Sequence, residues 1–388
     1  MISILALDSL VSGGTKSREV ERPAQYSHII DAIGGYKSAM FSQAASIATM
    51  DDWIADGIGR HIQVYNDALV PCWEGFVNQI DAVYGNLTVT VGPLLDATNR
   101  LDVTYSFVDV DPFPPTEGIQ ANTGWTDDLL SQARYGVLPS VLSAGDTTPA
   151  DATAIRDTYL VQHRLPATTQ VWSTGGGATP SLTVHCLGYF QWLFYVYNQL
   201  VNKGDINTDL KIIDILTGTD AALIPPAPYN LNSSWLPFNT VHVDTPAAPV
   251  AVPRYEYENR TAWELIEGLT ARGDANQNRW LFGIYDKRQA WYHQAPTTVE
   301  YEIELSDPAQ RIMAPVEVKP WDVRPGRWAL FTDFLIGRSV PTSLEEDPRA
   351  MFIESVTYTM PNTVALNGGK DQELAQIMAS FGLGGVGV

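Results

Sequence analysis

The sequence predicts a mainly β chain of more than one domain, carrying α+β insertions. Three observations set that expectation. A chain of 388 residues exceeds what one hydrophobic core usually organises. Apolar–polar alternation, the period of a half-buried strand, recurs from Arg60 to Val108 and again from Val299 to Met360. Between these stretches lies one strongly patterned helix followed by a hairpin.

Met1 to Leu10 lacks a basic segment and Asp8 breaks its apolar run, so no signal peptide is expected. Ser12 to Arg22 reads as a polar loop, and Tyr36 to Ile54 as mixed and part helical. Arg60–Tyr65 then alternates through Ile62 and Val64. Val70–Ile80 reads as a strand centred on Trp73 to Val77, and Asn86–Val91 sets Leu87, Val89 and Val91 on one face. Arg100–Val108 continues the pattern. Four strands at this spacing, separated by Asn-Asp, Gly-Asn and Gly-Pro, describe a small antiparallel sheet or barrel.

The Pro-rich stretch Asp111–Pro115 marks a boundary. Beyond it, Asp127–Tyr135 and Asp151–Gln162 read as helices, Ser181–Cys186 as a strand, and Tyr189–Lys203 as a helix stopped by Gly204. Pro225–Pro253 is a long connection, and its part Thr245–Pro253 is expected to lie extended against a neighbouring subunit. Thr261 and Glu264 form a capping box ahead of an apolar face on Ala262, Leu265, Ile266 and Leu269, and Gly273 ends that helix. Trp280–Tyr285 and Ala290–His293 flank the polar turn Asp286–Gln289. Val299–Leu305, Val316–Lys319, Trp328–Phe334 and Met351–Met360 add strands, and Asp371–Phe381 a short helix. The expected division is 1–110, a first β-domain; 111–205, an α+β segment returning to the sheet; 206–260, a Pro-rich connection; 261–366, the helix–hairpin and a second β-domain; and 367–388, a short helix and tail.

With 44 acidic against 24 basic residues, the net charge of −20 repels phosphates and argues against reading DNA. A passive acidic lumen past which DNA slides is compatible with it. Cys72 and Cys186 leave room for one long-range disulfide or two buried thiols. The thiols are favoured, because free cysteine behaves as a small hydrophobe. The longest apolar stretch, Tyr189–Val201, is interrupted by Gln191, Asn198 and Gln199 and is too short to span a bilayer.

Constellations for catalysis fail one by one. There is no G-x-S-x-G, H-E-x-x-H or Walker pattern, and Gly57-Ile58-Gly59 lacks the third glycine of a dinucleotide loop. Asp274, Asn276 and Asn278 imitate half a calcium loop, but Arg279 replaces its glycine and Tyr285 its bidentate acid. Glu264 is committed to a cap, which weakens a paired-carboxylate reading with Glu267. The six histidines, His28, His61, His163, His185, His242 and His293, have no partners at ligand spacing. No enzyme activity, cofactor or metal is expected.

Gly59–Asn66 with Trp73–Phe76 (WEGF), Ser181–Leu193, the helix–hairpin Thr261–Tyr292, Trp321–Trp328 and Asp347–Val356 resemble the corresponding stretches of phage baseplate-hub and tail-tip proteins. The resemblance implies tube-like β-barrel domains in a virion structural protein. Such a protein forms a ring, trimeric in the first instance, that closes the tail tube and docks distal-tail and tip or fibre proteins, after assembly in the host cytoplasm. It further implies packing or interface roles for Trp73, Gly75, Trp192, Trp263, Trp280, Trp291, Trp321 and Trp328. Another tail component (distal tail, neck or fibre attachment) would share this composition. A carbohydrate-binding or hydrolysing protein would share its aromatic content and acidic surface.

Overall fold

The structure, a computed structural model, describes residues 2–8, 17–20, 23–109, 116–175, 177–194, 204–217, 238–253, 260–309, 311–333 and 343–369. It is mainly β, built on a curled half-barrel sheet. The first strands are β1 (Ser3–Leu7), β2 (Ser17–Val20), β3 (Gln25–Asp31) and β4 (Gly34–Ala44). Helix α1 (Ile47–Asp56) starts at Ser46, whose Oγ accepts the Thr49 N–H, a cap worth about 1 kcal/mol. Strands β5 (His61–Tyr65), β6 (Pro71–Tyr84) and β7 (Leu87–Val91) follow and pair antiparallel in sequence order.

One expectation changes here. Ser17–Val20 is not loop but the antiparallel partner of β1, because a long-range ladder can organise a polar segment that carries no hydrophobic pattern. Tyr36–Ile54 is mixed and part helical as expected: β4 runs through Ala44, and the helix begins after the Ser46 cap.

The fourth expected strand, β8 (Arg100–Asp109), does not join β5–β7. It forms the centre of a separate small sheet, antiparallel to β9 (Thr116–Asn122) and β10 (Thr126–Asp127) and parallel to β11 (Pro139–Asp146). Helices α2 (Leu129–Tyr135) and α3 (Pro149–His163) complete this unit. Ala152 and Leu160 of α3 pack on Leu101, Val103 and Tyr105 of β8. Alternation identified the strand, but a strand's pattern does not name its partner. Residue 110 thus falls between two paired strands of one sheet.

The chain returns through β12 (Thr168–Trp172) and β13 (Ser181–Leu187). Strand β13 enters between β4 and β6, pairing with both. The expected helix from Tyr189 is a short 3-10 turn, Tyr189–Leu193, with residues 195–203 outside the described part. Next come β14 (Asp205–Asn207), α4 (Thr208–Thr217), β15 (Asn239–Val243) and β16 (Ala251–Pro253). Within the extended segment Thr245–Pro253, β16 pairs with β14, Ala248 O accepts from Ala275 N, and Val252 is buried. Residues 218–237 of the connection lie outside the described residues.

Helix α5 (Ala262–Arg272) has the full capping box, with Thr261 N–H donating to Glu264 Oε2 at 2.7 Å and Glu264 N–H to Thr261 Oγ1 at 3.1 Å. Strands β17 (Trp280–Tyr285) and β18 (Gln289–Gln294) form the expected hairpin. Strands β19 (Val299–Glu304), β20 (Ile312–Ala314), β21 (Val316–Glu317), β22 (Trp328–Thr332), β23 (Ala350–Thr359) and β24 (Thr363–Gly369) follow. β24 had no clear pattern in sequence, and the expected helix Asp371–Phe381 lies outside the described residues.

The strand pairings compose one continuous antiparallel sheet of eight strands, in the order β12–β7–β6–β13–β4–β3–β23–β24. Three of its long strands branch: β6 pairs with β5 along its first half, β23 with β22 at its start, and β4 with β17 at Gly34 and Gly35. The main core, with Tyr26, Phe41, Trp53, Ile80, Val184 and Tyr358, lies on one face. Cys72 and Cys186 are buried free thiols within it.

Candidate interaction surface

The side chains of the eight-stranded sheet that do not enter the core line up in cross-strand rows. One row runs Thr169, Thr90, Asp81, Thr183, Ser42 and Gln25. The next runs Gln79, His185, Met40, Ser27, Thr359 and Thr363. These residues are half-buried or exposed; on the strands between the two ends of the sheet the alternate side chains enter the core, whereas on β12 both faces are exposed. Period-two alternation thus produces a wall with a dry side and a hydroxyl-lined side.

Asp81 is the one carboxylate in those rows, and it is well supplied with donors. Thr90 Oγ1 donates to Oδ1 at 2.6 Å, while Gln79 Nε2 donates to Oδ2 at 3.2 Å and His185 Nε2 lies 2.9 Å from that same oxygen. An acid held by three donors from three strands fixes the sheet's surface and satisfies its own lone pairs. At the edge of this face, Lys37 pairs with Asp31 at 2.8 Å.

Both end strands of the sheet have one unpaired edge among the described residues. Strand β12 pairs only with β7, and all five of its residues are exposed, Val171 by 59% and Trp172 by 66%. Strand β24 pairs only with β23, and its Thr363, Ala365 and Asn367 face outward. An unpaired edge presents a row of N–H and C=O groups ready to accept another strand.

A buried ionic joint ties the hairpin β17–β18 to β6. The hairpin tip holds Lys287 and Arg288 at φ +57° and +56°, a left-handed backbone that favours glycine or asparagine. Glu74, 2% exposed on β6, accepts the Lys287 N–H at 2.7 Å and faces the Arg288 guanidinium at 3.4 Å. Burial pushes the Glu74 carboxyl up to about 7 against the pull of those two donors. Tyr36 donates to Asp286 in the same tip. His61, whose Nδ1 is 2.6 Å from the Tyr189 hydroxyl, is held by burial near 3, far below its ordinary range. His28, beside Tyr26 Oη at 2.9 Å, is lowered to about 3 in the same way. Glu74 is invisible to motif reading, since only the fold brings residue 287 to residue 74.

The residues singled out in sequence are scattered through this frame. Trp73 is fully buried with its ring centroid 6.2 Å from Tyr36. Gly75 is required by close approach: a Cβ there would stand 2.2 Å from the Leu187 carbonyl. Trp192 packs on Phe76 at 5.4 Å, Trp263 on Phe190 at 5.2 Å, and Trp280 on Tyr292 at 4.6 Å. Trp321 meets Tyr358 edge-on, and Trp328 meets Phe352 while donating to the Pro296 carbonyl at 3.0 Å. Trp291 is different: 36% exposed, it stacks on His242 with centroids 4.0 Å apart. Trp172, which sequence reading passed over, is far more exposed than any of these. Asp274 accepts from the N–H groups of Asn276 and Asn278 and from Asn278 Nδ2, the geometry of a self-capped turn. Among the described residues, no group of three His, Cys, Asp or Glu is placed to hold a metal, and no helix is long and apolar enough to cross a membrane.

Two solved structures are similar over almost the whole chain. One is the 43 kDa tail protein of prophage MuSo2 from Shewanella oneidensis, at 8% identity and a TM-score of 0.41, covering 94% of each chain. The other is a tail protein from Neisseria meningitidis MC58, at 9% identity and a TM-score of 0.43, covering 94% of this chain and 93% of that one. No protein-family model and no curated protein matches the sequence.

Proposed function

We propose that the chain is a structural protein of a phage tail, a subunit of the hub or tail-tip ring that closes the tail tube and docks neighbouring tail proteins. The observation that carries this reading is the eight-stranded antiparallel sheet with a core on one side and hydroxyl groups on the other. Such a sheet is a section of wall. Copies set side by side would enclose a channel lined by Thr and Ser side chains, and the net charge of −20 would keep passing DNA from adhering. The sequence resemblance around Gly59–Phe76, Ser181–Leu193 and Thr261–Tyr292 supports the same assignment. In this reading the role is mechanical, the ring is a trimer, and the virion is the place of action.

Light scattering after size exclusion, together with particle images, tests the reading. Rings, and co-elution with tail-tube or fibre proteins, are the expected result. A chain that stays monomeric and binds no tail protein defeats it.

A further inference from the structure

We propose that the two free ends of the eight-stranded sheet are complementary, so that β12 of one copy adds to β24 of the next, edge to edge. This inference rests on the ring reading above and specifies the contact that would build the ring.

Three observations converge on a second copy as the occupant of each edge. The first is strand direction. All seven pairings along the sheet are antiparallel, so the first and eighth strands run in opposite senses. Rotating a second copy about an axis along the strands sets its β12 beside β24 of the first in the antiparallel sense. The alternation continues across the joint without a break, which an odd number of strands would not allow.

The second observation is charge. Copies of a chain carrying −20 repel one another over most of their surface. Neither Thr168-Thr-Gln-Val-Trp172 nor Thr363-Val-Ala-Leu-Asn-Gly-Gly369 contains an acidic or basic residue. The edges are therefore places where two copies can approach without a like-charge penalty. They also lack the lysines with which isolated sheets commonly block edge pairing.

The third observation is the pattern of faces. On β12, Thr169 and Val171 continue the hydroxyl-lined side through Thr90 and Thr88, while Trp172 extends the side of Leu87 and Val89. On β24, Ala365 and Thr363 lie on the hydroxyl-lined side, and Val364 and Leu366 on the core side opposite Tyr358 and Val356. Joining the edges brings Trp172 alongside the core-side residues of β24 and keeps one unbroken polar wall. Leu165, also exposed, lies between the end of α3 and β12.

Cysteine cross-linking tests the contact on the full chain. Cys72 and Cys186 are buried, and burial raises both thiols above their usual range, so introduced cysteines are the reactive ones. Variants pairing Thr169→Cys or Val171→Cys with Thr363→Cys or Ala365→Cys should give covalent oligomers on mild oxidation, whereas each single variant should not. Separately, Val171→Lys should dissociate the assembly and leave the monomer's circular dichroism and melting unchanged, because the side chain is exposed. Rings that persist with Val171→Lys and yield no cross-link in any pairing overturn the edge contact while leaving the ring reading standing. A wild-type chain that is monomeric at every concentration overturns both.

Discussion

Replacing Glu74 by Gln should change how stability depends on pH, with a size set by its burial. The Glu74 carboxyl titrates near 7 in the folded chain against an ordinary 4.5. A raised carboxyl pKa means that the folded state holds the proton more tightly than the unfolded chain. Its stabilisation is complete below about 4.5 and is lost as pH rises through about 7. The loss over that window is about 3 kcal/mol at 1.36 kcal/mol per unit, with little solvent screening at so buried a site. His28 and His61 act with the opposite sign. Each is depressed from 6.5 to about 3, so each withdraws stability as pH falls below 6.5. Two histidines outweigh one glutamate, and the wild-type chain should be most stable near neutrality. Glutamine does not titrate. Whatever constant offset the substitution introduces at Arg288 and the Lys287 N–H, its stability relative to wild type should improve by about 2.5 kcal/mol between pH 5 and pH 8. Urea unfolding followed by the fluorescence of the 11 tryptophans, at fixed protein concentration, measures that difference. Equal stability differences at pH 5 and pH 8 would refute the assignment of a neutral-range titration to Glu74.

The other predictions follow the same joints. His28→Gln should flatten the acid limb, gaining about 2 kcal/mol relative to wild type between pH 8 and pH 5, read from the same unfolding series. Gly75→Ala forces a Cβ against the Leu187 carbonyl and the Trp73 ring, and should cost at least about 3 kcal/mol, visible as a melting transition lowered by many degrees or as insoluble expression. Lys287→Gly keeps the backbone N–H that Glu74 accepts and removes left-handed strain at a side chain, for a gain of about 1 kcal/mol in thermal unfolding. Trp291→Ala should leave the fold nearly unperturbed, since the ring is half-exposed, but should abolish its stacking on His242, seen as a shift of the His242 ring resonances.

Local structure was legible wherever one residue's neighbours in sequence are its neighbours in space. The capping box at Thr261, the hairpin about Asp286 and the alternation of Leu87, Val89 and Val91 are of this kind, and each is present. Partnerships were not legible. Nothing in Arg100–Val108 says that its partners come later in the chain. Nothing in Ser17–Val20 marks it as a strand apart from the β1 edge that holds it. The polar joint at the hairpin tip escaped for the same reason: Glu74 sits in the middle of an apolar strand, and its partner lies 213 positions away. The tryptophans were easy to find and harder to interpret, because the same residue type fills a core at Trp73 and stands half-exposed at Trp291.

The strand on which the proposed edge contact turns is one the hydrophobic pattern passed over. Thr168–Trp172 shows no buried face, so it offers no alternation between core and solvent for a sequence pattern to pick out. Its place appears only when β7 is seen to be its one partner among the described residues and β24 the opposite end of the same sheet. An edge strand with both faces in water gains little from folding alone, beyond one ladder of hydrogen bonds. The exposed Trp172 then stands as an apolar surface that water solvates poorly and that a soluble monomer has no reason to display on an open edge. A second strand would cover that edge, satisfy its N–H and C=O groups and bury the indole in one step. A lone lysine at Val171 is therefore the sharpest probe: it changes nothing the monomer uses and everything a neighbouring edge would need.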